Sequence, residues 1–253
     1  MADRSEILRE LRLVPTWRLR AKEARTALAA KAGRGESEPA PPPASGARLS
    51  RIAGLEWRDF ARDVSACTAC ALCRTRNKAV PGVGDPHAQW LFVGEAPGAE
   101  EDAKGEPFVG QAGRLLDNML AALGMKRGDN VYIANVLKCR PPANRTPEPF
   151  EVESCRPYLD RQIELIRPSL IVALGKSAAT TLLNVDATIA SLRGRVHRYR
   201  GVPLLVTYHP AYLLRNLPDK AKAWEDLCLA RATMQRLAAA RDEGLESPGR
   251  GPK

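Results

Sequence analysis

Residues 90–102 read W-L-F-V-G-E-A-P-G-A-E-E-D: an apolar run over 90–93 that breaks into an acidic loop carrying Gly and Pro. A short uninterrupted apolar run bounded by turn residues is the pattern of a strand buried on both faces. Three more runs repeat it, at 131–136, 170–174 and 204–207. Helical stretches lie between them near 111–123, 148–166 and 176–183, and a last one near 219–239 follows the fourth run. This alternation predicts an α/β chain with a central, mostly parallel four-stranded sheet and helices on both faces, in three α/β/α layers. Residues 195–200, ahead of Gly201-Val202-Pro203, predict a small hairpin with the last strand.

The segments with chemical character follow these strands. Residues 94–102 come after the first, 138–144 after the second and 209–214 after the fourth. Open α/β sheets bind ligands in the crevice outside their strand carboxyl ends. Three segments distant in sequence therefore converge on one mouth.

With 253 residues the chain can bury one full α/β core and carry an appendage. Its net charge of +10 suits a polyanionic partner. No run of about 18 apolar residues predicts a membrane span. The start, Met-Ala-Asp-Arg-Ser-Glu, lacks the basic and apolar regions of a secretory signal. Six cysteines in that context point to a reducing compartment and to ligands rather than disulfides. Residues 1–54 read as a basic extension, with Ile7, Leu8, Leu11 and Val14 at roughly helical spacing and eleven Arg/Lys against six Asp/Glu over 1–55. It ends in the linker-like G-R-G-E-S-E-P-A-P-P-P-A-S-G. A solvated arm is the plain reading, and contact with DNA or an unknown partner the other. Residues 55–240 form the expected domain and 241–253 an expected disordered tail.

Cys67 and Cys70 in C-T-A-C, Cys139 in K-C-R-P-P and Cys155 in S-C-R-P-Y frame a thiolate metal centre. Four such ligands hold zinc or an iron–sulfur cluster, and spacing alone leaves both open. Cys73 extends the first pair to C-x-x-C-x-x-C, but a ferredoxin-like run would place its next cysteine at 77, where Asn77 stands, so Cys73 reads as a non-ligand. Cys228, between Leu227 and Leu229, reads as a small buried hydrophobe.

Over residues 67–215 the ordered motifs C-x-x-C, G-E-A-P-G-x-x-E-D, P-F-V-G-x-A-G, N-V-x-K-C-R-P-P-x-N-R, L-G and H-P-A-Y-L-L resemble the family 4 uracil-DNA glycosylases, the iron–sulfur type of bacteria and archaea. The extension falls outside the resemblance. The resemblance implies a monomeric, cytoplasmic, nucleoid-associated bacterial enzyme that flips uracil out of DNA and hydrolyses its glycosidic bond. It favours a [4Fe–4S] cluster on Cys67, Cys70, Cys139 and Cys155, with zinc the alternative.

The same resemblance makes Phe108, in a Gly/Pro-rich loop, the ring that stacks on uracil. Asn135, at the end of the second strand, offers a donor and an acceptor that match O4 and N3–H of uracil. His209, ahead of Pro210, faces O2 and stabilises charge as the bond breaks. The resemblance places Glu95 where related glycosylases position or activate the attacking water and makes Glu101 and Asn144 a hydrogen-bonded pair that supports catalysis, with the acid that handles the water left open between Glu95 and Glu101. Glu100 and Asp102 read as solvated. Lys138, Arg140, Arg145, Arg156 and Arg215 are candidate phosphate contacts, and Leu213 or Leu214 is the wedge that enters the duplex.

Two other readings compete. Class X relatives carry K-R-R-I-H where this chain has P-P-A-N-R-T-P-E-P, and family 5 enzymes lack an acid at the position of Glu95. A non-enzymatic metal-clamped DNA-binding or polymerase-associated module accounts for the charge and cysteines, but not for Glu95, Phe108, Asn135 and His209 together.

Overall fold

The structure, a computed structural model, describes residues 46–245. The helical spacing expected over 7–14, the linker up to residue 45 and the tail beyond 245 lie outside the described residues. Six strands form one sheet: β1 (Val83–Gly84), β2 (Trp90–Gly94), β3 (Val131–Asn135), β4 (Leu170–Leu174), β5 (His197–Tyr199) and β6 (Val202–Thr207). Their order is β1-β3-β2-β4-β6-β5. The central four are parallel and are the four expected from apolar runs. The sheet nevertheless has six strands rather than four, because a short antiparallel strand closes each edge. The hairpin expected over 195–200 is one of them. β1 is two residues with a glycine, too short to leave a pattern in the sequence.

Successive strand residues point to opposite faces, and each face has its own helices. Leu91, Val93, Ile171, Ala173, Leu204 and Val206 pack with α5 (Pro149–Ile166), α6 (Lys176–Leu183) and α7 (Ile189–Leu192). Trp90, Phe92, Leu170, Val172 and Leu205 pack with α4 (Gln111–Ala122) and α9 (Asp219–Leu245). Every residue of β2, β3 and β4 is buried, which explains why these strands read as continuous apolar runs.

At the amino end, α1 (Gly46–Ala53) and α2 (Trp57–Ala66) bury Ile52, Phe60 and Val64 against Tyr158 of α5. Arg48 donates to the Ser154 carbonyl at 2.8 Å. α1 thus packs on the α/β unit although it precedes the boundary expected at 54/55, and α9 runs five residues past the boundary expected at 240. A buried isoleucine replaced by alanine costs about 2–5 kcal/mol. Ile52→Ala should therefore lower the thermal midpoint by roughly 5–10 °C in a chain of this size, measured by calorimetry. An unchanged midpoint would place α1 outside the cooperative unit.

Candidate active site

Parallel pairing sets Gly94, the last residue of β2, beside Asn135, the last of β3. A Cβ on Gly94 would lie 2.4 Å from Asn135 Oδ1 and 2.7 Å from Phe108 Cζ, so only glycine leaves room for both side chains. Asn135 is 2% exposed, and its Oδ1 is buried with no hydrogen-bond partner in the protein. A buried acceptor without a donor is costly; beside a cavity it is a socket for a donor from a ligand.

Phe108 takes a left-handed backbone, φ 54°, which costs a non-glycine residue of order 1–3 kcal/mol. Its surroundings enforce it. Arg127 donates to the Pro107 and Phe108 carbonyls, each at 2.9 Å, and is itself held by Asp117 at 2.9 Å. Gly113 in α4 lets the Phe108 carbonyl approach; a Cβ there would sit 1.7 Å from that oxygen. The ring belongs to the core under the sheet and also to the cavity wall, so plug and platform are one residue. Sequence reasoning did not single out Arg127, which lies in a polar turn between α4 and β3. Gly113 stood in the quoted P-F-V-G-x-A-G pattern, where its role could have been sought.

His209 caps α8 (Pro210–Leu213), with Pro210 as the first helical residue. Its Nδ1 accepts from the Ala211 amide at 3.1 Å. A backbone N–H only donates, so Nδ1 holds a lone pair and the proton of the neutral ring sits on Nε2. Burial, then the positive charge of Arg215, pulls the pKa down to about 4, against an opposing pull from Glu101. At pH 7 the ring is a neutral Nε2–H donor. It stacks 5.5 Å from the Phe108 ring at 29°. Gly175, at φ 93°, makes room for it, since a Cβ there would lie 2.9 Å from that of His209.

Phe108, Asn135, His209, Glu95, Glu101 and Asn144 all line one cavity of about 510 Å³. The acids differ in their ties. Glu101 Oε1 accepts from the Val109 and Gly110 amides at 3.1 and 3.4 Å, bracing the loop that carries Phe108. Asn144 Oδ1 accepts from Arg140 at 2.7 Å. The expected Glu101–Asn144 bond is thus replaced by separate partners. Burial raises the Glu95 pKa, and a hydrogen bond with Ser177 opposes the rise. Glu100 is exposed, but Asp102 is buried, accepting from the Asn77 amide and side chain at 2.9 and 2.6 Å. The solvated role expected for Asp102 is corrected: it ties the acidic loop to the segment after the cysteine pair.

Cys67, Cys70, Cys139 and Cys155 line a single small void, with Cys73 also on its wall. Arg76 donates to Cys139 Sγ at 2.8 Å, and the Lys138 amide to Cys155 Sγ at 3.2 Å. Among the described residues no group of three or more His, Cys, Asp or Glu is drawn tightly enough to hold a single metal ion. Burial pushes the Cys155 thiol to about 12 and that of Cys70 to about 11. Bare, these groups stay protonated at neutral pH; a soft metal centre is what converts such a set to thiolates. The donor set fits a thiolate-bound cluster. Cys228 is half-buried rather than buried.

The basic residues divide. Lys138 is 1% exposed and cannot reach a phosphate. Arg145 is held by Glu151 at 2.6 Å, fixing the P-P-A-N-R loop to the start of α5, and Arg156 donates to the Thr181 carbonyl at 3.2 Å. Arg215 is exposed at the cavity rim and Arg140 half-buried near it. Leu213 is 1% exposed and Leu214 40%.

An imidazole held near pKa 4 binds its proton far less readily than in the unfolded chain, where 6.5 is the reference. Its contribution to stability is therefore complete above pH 6.5 and lost as pH falls toward 4. A ¹⁵N titration should find the Nε2–H tautomer down to pH 5, and Arg215→Ala should raise the midpoint. A midpoint left near the free-histidine value would contradict this environment.

Residues 81–228, more than half of the chain, match the family model described as Uracil DNA glycosylase superfamily. The chain is 50% identical over 164 residues to the type-4 uracil-DNA glycosylase of Archaeoglobus fulgidus, covering 62% of this chain and 82% of that one. It is 43% identical over 177 residues to the type-4 enzyme of Thermotoga maritima, covering 68% and 92%. A type-5 uracil-DNA glycosylase of Pyrobaculum aerophilum is more distant, 36% identical over 153 residues. Strand ends, site geometry and these matches agree: the chain belongs to the uracil DNA glycosylase superfamily.

Proposed function

We propose that the chain is a uracil-DNA glycosylase that takes uracil out of the DNA stack and hydrolyses its N-glycosidic bond, leaving an abasic site. The observation that carries this reading is the unpartnered Asn135 Oδ1 at the floor of a cavity bearing an aromatic face and a neutral imidazole donor. Uracil N3–H supplies the missing donor, and the Asn135 amide donates in turn to O4. Cytosine presents the opposite pattern at those two positions, and a bidentate contact of this kind discriminates by about 1–3 kcal/mol.

Phe108 stacks on the base. As the glycosidic bond breaks, its electron pair passes to the base, and the His209 Nε2–H donates to the charge growing on O2. Water adds to the sugar carbon and gives up a proton, for which Glu95 is the acceptor. Glu101 positions Phe108 through the loop it braces, and Asn144 lies at the cavity edge beside Arg140. Arg140 and Arg215 contact phosphate, and Leu214, the exposed leucine of the pair, is the wedge. Cys67, Cys70, Cys139 and Cys155 hold a [4Fe–4S] cluster, whose service is to clamp the segment before the sheet to the loop and helix after β3. Zinc, which also accepts four thiolates, is the alternative occupant. The six free cysteines fit a reducing compartment. Among the described residues no helix is long and apolar enough to cross a membrane. A purely DNA-binding module would have no use for the orphan acceptor and the neutral donor on one wall.

The test is single-turnover excision from a uracil-containing oligonucleotide. His209→Ala should slow it by about a hundredfold or more, as when one donor to a developing anion is lost. Asn135→Asp should also slow it, because a carboxylate cannot donate to O4. If neither variant changes excision, the pocket is misassigned.

The pH profile separates the acids. Burial makes Glu95 hold its proton to a pH above the ordinary 4.5, and protonated it cannot accept one from water. The rate should fall on the acid side with a midpoint above that value while His209 is still neutral. Glu95→Gln should abolish this limb and Glu101→Gln should keep it. A limb that survives Glu95→Gln would assign the water to another group.

Arg127→Ala should release the Phe108 loop and slow excision by roughly ten- to a hundredfold, the penalty of small misplacements at a reacting centre. Wild-type rates in this variant would show that the ring needs no clamp.

A further inference from the structure

Trp224 stands on α9 one position round from the face that buries Ala223, Leu227 and Ala230. It is 41% exposed, and Leu217, seven residues earlier, is 60% exposed. The Lys220 amide donates to the Leu217 carbonyl at 3.1 Å, so Leu217 already belongs to the first turn. Seven residues are two helical turns, which puts the two side chains on one side, about 10 Å apart along the axis. Lys220 and Arg231 fall on that side as well, four residues before the indole and seven after it, and both are exposed. This side begins at the pocket. Tyr212 lines the cavity, and its hydroxyl donates to Asp219, the first residue of α9, at 2.6 Å. The turn between them carries Arg215 at the cavity rim and the exposed Leu214.

The charges along this segment are sorted. Lys222 holds Asp219 at 2.8 Å, and Arg193 holds Glu225 and Asp226 at 3.2 and 3.0 Å. The acids here are thus neutralised by other cations. No acid stands three or four residues from Lys220 or Arg231, the spacing at which charges on a helix meet. Two exposed cations therefore flank an exposed aromatic ring. Grooves that track a single nucleic-acid strand combine these same parts, cations for the phosphates and a flat ring for a base. A duplex keeps its base faces stacked on one another, so only an unpaired base can offer a face to the indole.

We propose that this side of α9 is a single-stranded DNA contact continuous with the pocket: the Trp224 indole stacks on an unpaired base beside the flipped nucleotide, while Lys220 and Arg231 meet the flanking phosphates. The inference rests on the reading of the chain as a uracil-DNA glycosylase, and it gives single strands a foothold that a duplex lacks.

The experiment uses the full chain and an oligonucleotide carrying one non-cleavable 2′-fluoro-deoxyuridine, offered single-stranded or in a duplex. Trp224→Ala should weaken single-strand binding by about tenfold, the loss typical of one stacked base, and leave duplex binding unchanged. Trp224→Phe, which keeps a ring, should restore most of that loss. Lys220→Ala and Arg231→Ala should each lower the salt dependence of single-strand binding by roughly one phosphate contact. Single-strand DNA should quench the indole fluorescence of the wild type more than that of Trp224→Phe. Excision of uracil at saturating DNA should stay at the wild-type rate in all four variants. Unchanged single-strand affinity in Trp224→Ala, or an equal loss on single strand and duplex, would overturn the inference. A Trp224→Ala chain that binds both DNAs normally but loses self-association in sedimentation would overturn it too, making this a protein-docking face. A wild-type chain that shows the single-strand contact yet excises no uracil would strike the glycosylase reading and leave the contact standing.

Discussion

The placement of Phe108 is the constraint on which the site depends. Its ring fills the core beneath the sheet and also forms the pocket wall, and its backbone is left-handed to reach both. Gly94 clears the space in front of the ring and Gly113 the space behind its carbonyl. Arg127 and Glu101 then fix the loop from either side through hydrogen bonds to backbone. A site built this way is stiff, because the aromatic platform cannot shift without opening the core.

That stiffness complements what stands around it. The parallel sheet delivers Gly94 and Asn135 side by side, and the end of β6 delivers His209 to the same cavity. The ring of His209 is fixed by a helix cap rather than by a carboxylate, and its neutrality follows from burial and from Arg215. The pocket thus meets a growing negative charge with a dipole already pointed at it, so little reorganisation accompanies bond breaking.

Much of this was legible in the sequence. The four parallel strands showed as apolar runs because both their faces are buried, and six candidate site residues fall on one cavity because strand carboxyl ends converge. What escaped has physical reasons. β1 is two residues long and pairs mainly through backbone, so no side-chain pattern marks it. Asp102 carries the same charge as Glu100 on the same short helix, α3 (Ala99–Lys104), and only the fold turns one inward toward Asn77. Arg127 acts on main-chain carbonyls, an action that leaves no motif. Lys138 looked like a phosphate ligand because lysine beside cysteine and arginine in a basic loop usually faces solvent.

The two antiparallel edge strands carry a consequence of another kind. A parallel sheet of uninterrupted Val, Ile and Leu strands, left open at its sides, would be a template for adding further chains and growing into fibrils. β1 offers two residues there, with Gly84 pressed so close to β3 that a Cβ would lie 2.2 Å from the Val131 carbonyl. β5 offers three, one of them the exposed Arg198. With its flanks this short and this poor in apolar surface, the sheet concentrates its hydrophobic strands in the middle and offers little edge for another strand to pair with.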